Sequence, residues 1–304
     1  MTHMNFAPLS RYRGRFAPTP SGPLHFGSLV AALGSYLDAR AVGGEWRVRI
    51  EDIDPPRCPR GAADTILRQL EAFGLEWDGE VLWQHPRGGA YEDALERLKA
   101  LGLAYPCSCS RKQWREYAIY PGWCRSGAGN ASAPCAWRLR SDRGEHPARF
   151  DDRLLGTLAF DPTLLGDVVL KRKDALFAYQ LAVVVDDAEQ GMTDVVRGVD
   201  LLDNTPWQRQ LQQALGYPRP SYLHLPLIVA DNGQKLSKQN LAPRLADNDR
   251  GIRRQLFDAL TALDQAPPAE LARGTPREQL AWGTAHWSTA RLATAPTRPA
   301  PQEA

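Results

Sequence analysis

The chain has 304 residues, of which 43% are hydrophobic and 24% are charged, so it can bury a core as one large domain or two smaller ones. Its formal net charge of +2 is too small to indicate nucleic-acid binding by itself, although a local basic surface is compatible with it. The sequence contains no run of about 18 apolar residues and no charged leader followed by an apolar stretch. We therefore expect a cytoplasmic protein that neither crosses a membrane nor is secreted.

The first 106 residues show the alternation of helices and strands that is typical of α/β proteins. Apolar residues at helical spacing predict a helix after the stretch YRGRFAPTP, ended by Gly43 and Gly44. The stretch EWRVRIEDIDPP alternates apolar and charged residues, which predicts a strand whose carboxyl end carries carboxylates. Two more helices are predicted over 66–73 and 94–101, before a strand in LAYPCSC.

Residues 107–162 are irregular and rich in Arg, Gly, Ser and Pro, so we predict an insertion between two halves of the α/β domain, 1–106 and 163–245. In the second half, GDVVLKRKD and MTDVVRG predict strands, whereas the periodicity of ALFAYQLAVVVDDAEQG does not distinguish helix from strand. Thr205 as N-cap and Pro206 at the first helical position predict a helix that ends at Gly216.

The last part of the chain predicts a strand, a lysine-bearing loop and a short helical region. YLHLPLIVADNGQKLSKQN combines an apolar strand pattern with a turn at Asp231-Asn232-Gly233. Short helices follow over 246–293, and the Pro/Ala-rich composition of 294–304 predicts a disordered tail.

The stretch PSGPLHFGS lies where an α/β protein binds a ligand, in a loop before a helix N-terminus. Gly22 and Gly27 allow the backbone to approach a ligand closely, and the imidazole of His25 can donate to a phosphoryl oxygen. For an isolated histidine, a half-buried side chain in a Gly/Pro turn is the more common explanation.

A second motif changes the interpretation of His25. Lys235 and Lys238 in KLSK occupy a loop that can close over a triphosphate, although a solvent-exposed basic loop would have the same composition. Together, and in this order, the two motifs resemble the HIGH-like and KMSKS-like motifs of class I aminoacyl-tRNA synthetases. This resemblance implies a Rossmann-type parallel sheet with an ATP site that comprises His25, Gly27, Ser28, Lys235 and Lys238.

The stretches RFAPTPSGPLHFGSL, RIEDIDPPR, FAYQLAVVVDD, VVRGVDLLDNT and KLSK narrow the resemblance to the catalytic core of glutamyl-tRNA synthetases. Too few residues follow the lysine loop for the anticodon-binding domain of those enzymes. With FGSL after the histidine and a cysteine cluster in the insertion, the chain is identified as a member of the glutamyl-Q tRNA(Asp) synthetase family. That family activates glutamate with ATP without needing tRNA, then attaches it to the queuosine base in the anticodon of tRNA(Asp).

The resemblance also implies roles for individual residues. A glutamate pocket would be formed by Arg15, Phe16, Ala17, Pro18, Thr19, Glu51, Tyr179 and Arg197. Arginine forks suit the two carboxylates of glutamate and an acidic side chain suits its ammonium group, as Arg15, Arg197 and Glu51 would provide. Taken singly, the same residues are better explained as a surface arginine, a salt-bridged carboxylate and a core tyrosine, and the five matched motifs reverse that preference.

An already ionised carboxylate attacks ATP without a strong general base, so positioning and charge stabilisation suffice for adenylate formation. The resemblance assigns His25 and Lys238 to catalysis. His25 would donate a hydrogen bond to the phosphates, and Lys238 would stabilise the charge that develops as pyrophosphate leaves. Mg²⁺ would accompany ATP at the β- and γ-phosphates.

Three cysteines cluster in the irregular segment CSCSRKQWREYAIYPGWC, namely Cys107, Cys109 and Cys124. Three thiolates and a fourth ligand suit one structural Zn²⁺, whereas three reduced cysteines without metal are the alternative. Spacing leaves water or Cys135 as the fourth ligand. The resemblance points instead to Tyr120, with Tyr117 close by in sequence.

The implied partners are ATP, L-glutamate and queuosine-containing tRNA(Asp), and we expect a monomer. One alternative is a minimal glutamyl-tRNA synthetase that charges a tRNA 3′ end, and another is an inactive paralogue that only binds RNA. A nucleotidylyltransferase of similar fold would not explain the glutamate-pocket residues. Basic residues of the insertion are consistent with tRNA contacts or with a role in solubility. They are Arg111, Lys112, Arg115, Arg138, Arg140 and Arg143.

Overall fold

The computed structural model describes residues 12–130, 132–229 and 243–299. Its first part alternates strands and helices as predicted. The elements are β1 (Arg13–Phe16), α1 (Phe26–Arg40), β2 (Glu45–Ile50), α2 (Ala62–Ala72), β3 (Leu82–Trp83) and α3 (Gly88–Ala100). The predicted helix before Gly43, the EWRVRI strand and the two helices before Gly74 and Gly102 are thus confirmed.

The segment after α3 forms small antiparallel units. One three-stranded sheet consists of β4 (Ala104–Cys107), β5 (Ala136–Leu139) and β8 (Val169–Lys171). A hairpin consists of β6 (Ala148–Asp152) and β7 (Gly156–Phe160), followed by the one-turn helix α4 (Pro162–Leu165). The predicted boundaries at 107 and 162 do not separate these units, because β4 spans the first boundary and β8, beyond the second, pairs with β5.

The second half of the chain supplies α5 (Tyr179–Glu189), β9 (Asp194–Gly198), α6 (Thr205–Leu215), β10 (Ser221–Leu225) and β11 (Leu227–Val229). The apolar run of undecided periodicity is α5. Gly216 ends α6 in the left-handed conformation as predicted, with φ of 66°. The N-cap prediction is wrong, because Thr205 is already helical and Asn204 precedes the helix.

The central sheet is assembled from both halves of the chain. β1 pairs in parallel with β2, and β2 with β3, while β9 pairs in parallel with β10 and β10 with β6. The two groups of strands meet beside β1, where the backbone N–H of Thr193 donates to the carbonyl of Arg13 at 3.0 Å. The result is the predicted Rossmann-type α/β fold, whose parallel strands end at one common edge.

Helices α7 (Asp249–Ala262) and α8 (Pro276–His286) form the predicted helical region and share a hydrophobic core with α1. α1 also lies very close to β10, since a Cβ at Gly34 would meet Leu225 Cδ1 at 2.6 Å. No helix among the described residues is long and apolar enough to span a membrane.

The C-terminal segment departs from the predicted disorder. Residues Thr297–Pro299 form β12, which pairs in parallel with β11, Leu227 lying opposite Thr297. The exposed edge of β11 offers backbone groups to which a neighbouring segment can pair, a tertiary effect that composition does not reveal. The lysine loop with Lys235 and Lys238, and residues 300–304, lie outside the described residues.

Candidate active site

A cavity of about 670 Å³ opens at the carboxyl ends of β1, β9 and β10. Every described residue that the sequence assigned to glutamate or ATP lines it. The glutamate set is Arg15, Phe16, Ala17, Pro18, Thr19, Glu51, Tyr179 and Arg197, and the ATP set is His25, Gly27 and Ser28. The structure therefore brings together residues that are far apart in the chain, at the place where α/β proteins bind ligands.

Arg15 is held by a direct ion pair. Its Nε and Nη2 donate to the two carboxylate oxygens of Asp187 at 3.0 and 3.2 Å. Arg49 shares this carboxylate, donating from Nη2 at 2.5 Å. Burial raises the pKa of Asp187, but the two guanidinium groups outweigh that effect and hold the pKa below its usual range. The Arg15 guanidinium is thereby fixed in the cavity wall.

Glu51 follows β2 directly and is only 7% exposed. Burial raises the pKa of Glu51 to about 7, although the guanidinium groups of Arg49 and Arg15 oppose the shift. Its Oε1 is buried without a hydrogen-bond partner among the described residues. Buried carboxylate oxygens normally have a donor, so this oxygen indicates a ligand that supplies one.

Arg197 is the penultimate residue of β9 and is 5% exposed, yet no described residue forms an ion pair with it. All its hydrogen-bond partners are neutral groups. Nε donates to His224 Nε2 at 3.1 Å, Nη1 to Gln208 Oε1 at 2.8 Å and to Tyr179 Oη at 3.4 Å, and Nη2 to Thr205 Oγ1 at 2.9 Å and to the Leu201 carbonyl at 3.3 Å. A buried charge without a counterion is costly, so this guanidinium is suited to an anionic ligand.

His25 is the N-cap of α1. Its backbone is extended, and its Nδ1 accepts a hydrogen bond from the Ser28 backbone N–H at 3.3 Å. An accepting Nδ1 places the proton of the neutral imidazole on Nε2, which lies 3.0 Å from Ser28 Oγ. The first turn of α1 contains no acidic residue, so its N-terminal N–H groups and dipole favour an anion in this part of the cavity.

The three clustered cysteines form a compact group outside this cavity. The Sγ atoms of Cys107, Cys109 and Cys124 all lie within 4.8 Å of one another, and those of Cys109 and Cys124 are 3.5 Å apart. Two sulfurs bound to tetrahedral zinc would be about 3.8 Å apart. The hydroxyl of Tyr120 lies 3.6 Å from Cys109 Sγ. The three thiols therefore fit a metal ion such as zinc, and the Tyr120 hydroxyl lies beside them.

The other candidates for the fourth position lie elsewhere. Cys135 donates from its thiol to the Ala133 carbonyl and is not part of the cysteine cluster. Tyr117 is 52% exposed and packs edge-on against Trp123.

Comparison with known proteins identifies the family to which the chain belongs. A family model described as "tRNA synthetases class I (E and Q), catalytic domain" matches residues 11–119 and 125–257. The glutamyl-Q tRNA(Asp) synthetase of Pseudomonas aeruginosa is 54% identical over 292 residues, which cover 95% of this chain and 98% of that protein. The chain belongs to the glutamyl-Q tRNA(Asp) synthetase family.

Further relatives agree. The glutamyl-Q tRNA(Asp) synthetase of Thiobacillus denitrificans is 53% identical over 298 residues, covering 95% of this chain and 98% of that protein. Among solved structures, a glutamate tRNA ligase from Elizabethkingia meningosepticum in complex with its amino acid matches with a TM-score of 0.79 at 23% identity, covering 96% of this chain and 67% of that chain. These comparisons confirm two predictions, namely the class I synthetase fold and an enzyme similar to aminoacyl-tRNA synthetases.

Sequence reasoning missed the residues that hold the pocket side chains in place. Asp187 closes the quoted motif FAYQLAVVVDD, and two adjacent aspartates at the end of a buried apolar run were a usable signal, because buried carboxylates need partners. His224 and Gln208 contact Arg197 from other elements, and no local pattern marks them.

Two of the basic residues for which tRNA contacts or a role in solubility were considered have other roles. Arg138 is buried, donates to the Asp167 carbonyl and lies over the Tyr120 ring, 4.0 Å from its centroid. Arg140 forms a bidentate ion pair with Asp142. Both therefore stabilise the fold of the insertion.

Proposed function

We propose that the protein activates L-glutamate with ATP and transfers it to the queuosine base in the anticodon of tRNA(Asp). Relatives named glutamyl-Q tRNA(Asp) synthetase, which are 54% identical over nearly the whole chain, support this reaction. One observation supports an amino acid as the substrate. Two groups line the same cavity: the buried guanidinium of Arg197, whose partners among the described residues are all neutral, and the buried Oε1 of Glu51, to which no described residue donates. A zwitterionic amino acid complements both groups.

In this proposal Arg15 and Arg197 bind the two carboxylates of glutamate, and Glu51 accepts from its ammonium group. Both guanidinium groups are already immobilised, Arg15 by Asp187 and Arg197 by its neutral partners. Little side-chain entropy is then lost on binding. The segment from Phe16 to Thr19 forms the wall beside the substrate.

The first step is attack of a glutamate carboxylate oxygen on the α-phosphorus of ATP. A bond forms between that oxygen and phosphorus, and pyrophosphate leaves, which gives glutamyl-adenylate. His25 donates from Nε2 to a phosphate oxygen, and the N-terminal N–H groups of α1 add further donors. Mg²⁺ bound with ATP would neutralise charge on the β- and γ-phosphates. We assign Lys235 and Lys238 to the departing pyrophosphate.

In the second step, a cyclopentenediol hydroxyl of queuosine attacks the carbonyl carbon of the adenylate. AMP leaves and an ester joins glutamate to the base. We further propose that Cys107, Cys109, Cys124 and Tyr120 hold one structural zinc ion, which supplies no chemistry to either step. The zinc would tie β4 to the loop that follows it.

The test is ATP-dependent transfer of labelled glutamate to two tRNA pools, one containing queuosine and one from cells unable to make it. We expect label only in the queuosine pool, and we expect it to survive removal of the 3′-terminal nucleotide. Equal labelling of both pools at the 3′ end would identify a small glutamyl-tRNA synthetase and contradict the proposal. A protein that binds tRNA without transferring label would be the inactive paralogue.

A further inference from the structure

We infer that His224 and Asp152 are positioning residues that orient Arg197 toward the substrate carboxylate. The inference rests on the proposed function, because it concerns the same glutamate pocket. His224 belongs to β10, whereas Asp152 ends β6 of the hairpin that the insertion contributes. Neither side chain lines the cavity, whereas Arg197, which contacts His224, does.

The hydrogen-bond directions in this group follow from chemistry. Arg197 Nε carries a proton and can only donate, so His224 Nε2, 3.1 Å away, must accept. The imidazole proton then resides on Nδ1, which donates to Asp152 Oδ2 at 2.7 Å. Asp152 therefore fixes the tautomer that Arg197 requires.

Asp152 is itself anchored by the backbone. Its Oδ1 accepts from the N–H groups of Leu154 and Leu155, both at 2.9 Å, and its Oδ2 accepts from the His224 N–H at 3.0 Å. The side chains of Asp152 and His224 are fully buried. Burial also lowers the pKa of His224, so the imidazole that meets Arg197 is neutral.

The neutral imidazole of His224 separates the positive charge of Arg197 from the negative charge of Asp152, and this separation affects ligand binding. Arg15 pairs directly with the Asp187 carboxylate, which it shares with Arg49 and which compensates part of its charge. Arg197 instead meets a neutral nitrogen, and the Asp152 carboxylate lies one imidazole ring further away. The guanidinium is thus oriented by a short chain of hydrogen bonds while its charge remains available to the substrate.

The test compares two substitutions of His224 in glutamate-dependent ATP–pyrophosphate exchange, measured without tRNA. In His224→Gln the side-chain amide can accept from Arg197 and donate to Asp152, whereas His224→Leu can do neither. We expect His224→Leu to raise KM for glutamate about tenfold and to leave KM for ATP within about twofold, since the lost bond involves a charged group. His224→Gln should restore most of the glutamate affinity.

A double-mutant cycle extends the test to Asp152. In Asp152→Asn one of the two acceptor oxygens becomes an amide nitrogen, so no orientation of the side chain satisfies all four N–H donors that Asp152 accepts, and the imidazole proton is no longer held on Nδ1. This variant should raise KM for glutamate when His224 is present and add nothing to His224→Leu. His146→Leu serves as a matched control, because His146 and Asp161 form an exposed pair of the same kind.

Three outcomes overturn the inference. They are an unchanged KM for glutamate in a folded His224→Leu variant, an equal rise of KM for ATP, and additive effects of His224→Leu and Asp152→Asn. Thermal unfolding of each variant reports whether it is folded, and His224→Gln and Asp152→Asn still decide the matter if His224→Leu does not fold. Absence of glutamate-dependent exchange in the unmodified protein would overturn the proposed function itself.

Discussion

Two arginines that line the same cavity differ in how their charge is compensated. Arg15 forms a bidentate ion pair with Asp187, and Arg197 contacts neutral acceptors alone among the described residues. Sequence motifs that resemble those of glutamyl-tRNA synthetases pointed to both arginines. They could not identify the partners, because Asp187 lies 172 positions from Arg15 and only the fold brings the two together. Pocket residues were therefore predictable, whereas their hydrogen-bond geometry was not.

In the proposed function, Glu51 makes glutamate binding depend on pH. Its pKa is raised to about 7 by burial, so the side chain loses its negative charge as the pH falls through this value. A protonated carboxyl attracts the substrate ammonium group less, and KM for glutamate should rise by up to about tenfold per pH unit below 7. The measurement is exchange kinetics between pH 6 and pH 8.

The control for this prediction is Glu51→Gln, which cannot titrate. We expect the variant to bind glutamate weakly and to show a flat KM over the same pH range. If the pH dependence persists in Glu51→Gln, another group is responsible and the role of Glu51 is wrong.

At the scale of the elements, periodicity identified helices that bury one face. The helix α2 shows this pattern, with Ile66 and Leu70 buried and charged residues outward. The helix α5 has no such pattern because it is buried on nearly every side from Gln180 to Ala188. Thr205 was misassigned for a different reason, since its hydroxyl accepts a hydrogen bond from Arg197.

Zinc content can distinguish between the possible fourth ligands of the cysteine cluster. The purified protein should contain one zinc per chain by elemental analysis, and Cys124→Ser should abolish it, because three ligands hold structural zinc poorly. Tyr120→Phe should weaken zinc retention against a chelator, since the Tyr120 hydroxyl faces the thiols.

Two matched variants are the controls. Tyr117→Phe and Cys135→Ser should keep the full zinc content, because neither side chain belongs to the cluster. Loss of zinc from either variant, or full retention by Tyr120→Phe, would contradict the proposed ligand set.

At the scale of the whole molecule, one buried carboxylate joins the two halves of the sheet. Asp187 lies on α5 in the second half of the chain. It forms ion pairs with Arg15 of β1 and Arg49 of β2, which belong to the first half. Composition and element order predicted an α/β sheet interrupted by an insertion. Where the halves meet depends on pairing between strands remote in sequence, which local patterns do not encode.

Asp187→Asn should destabilise the protein strongly, because two buried guanidinium groups lose their shared counterion. Removing one partner of a buried ion pair costs about 3–5 kcal/mol in the free energy of unfolding. Urea unfolding at neutral pH measures the loss. The matched control is Asp174→Asn, which removes an exposed pair with Arg172 and should cost less than about 1 kcal/mol. Equal losses in both variants would show that Asp187 does not join the halves.

The contact between β1 and the start of β9 can form only after the ribosome has made both segments. The backbone N–H of Arg13 donates to Thr193 Oγ1, 180 positions later in the chain. A ribosome that adds about 5–20 residues per second needs roughly 9–36 s to cover that interval. During this time the nascent chain carries β1 as an unpaired sheet edge, which is the kind of surface that other chains can join. The cavity thus forms late in translation, and until then the unpaired edge of β1 is open to association with other chains.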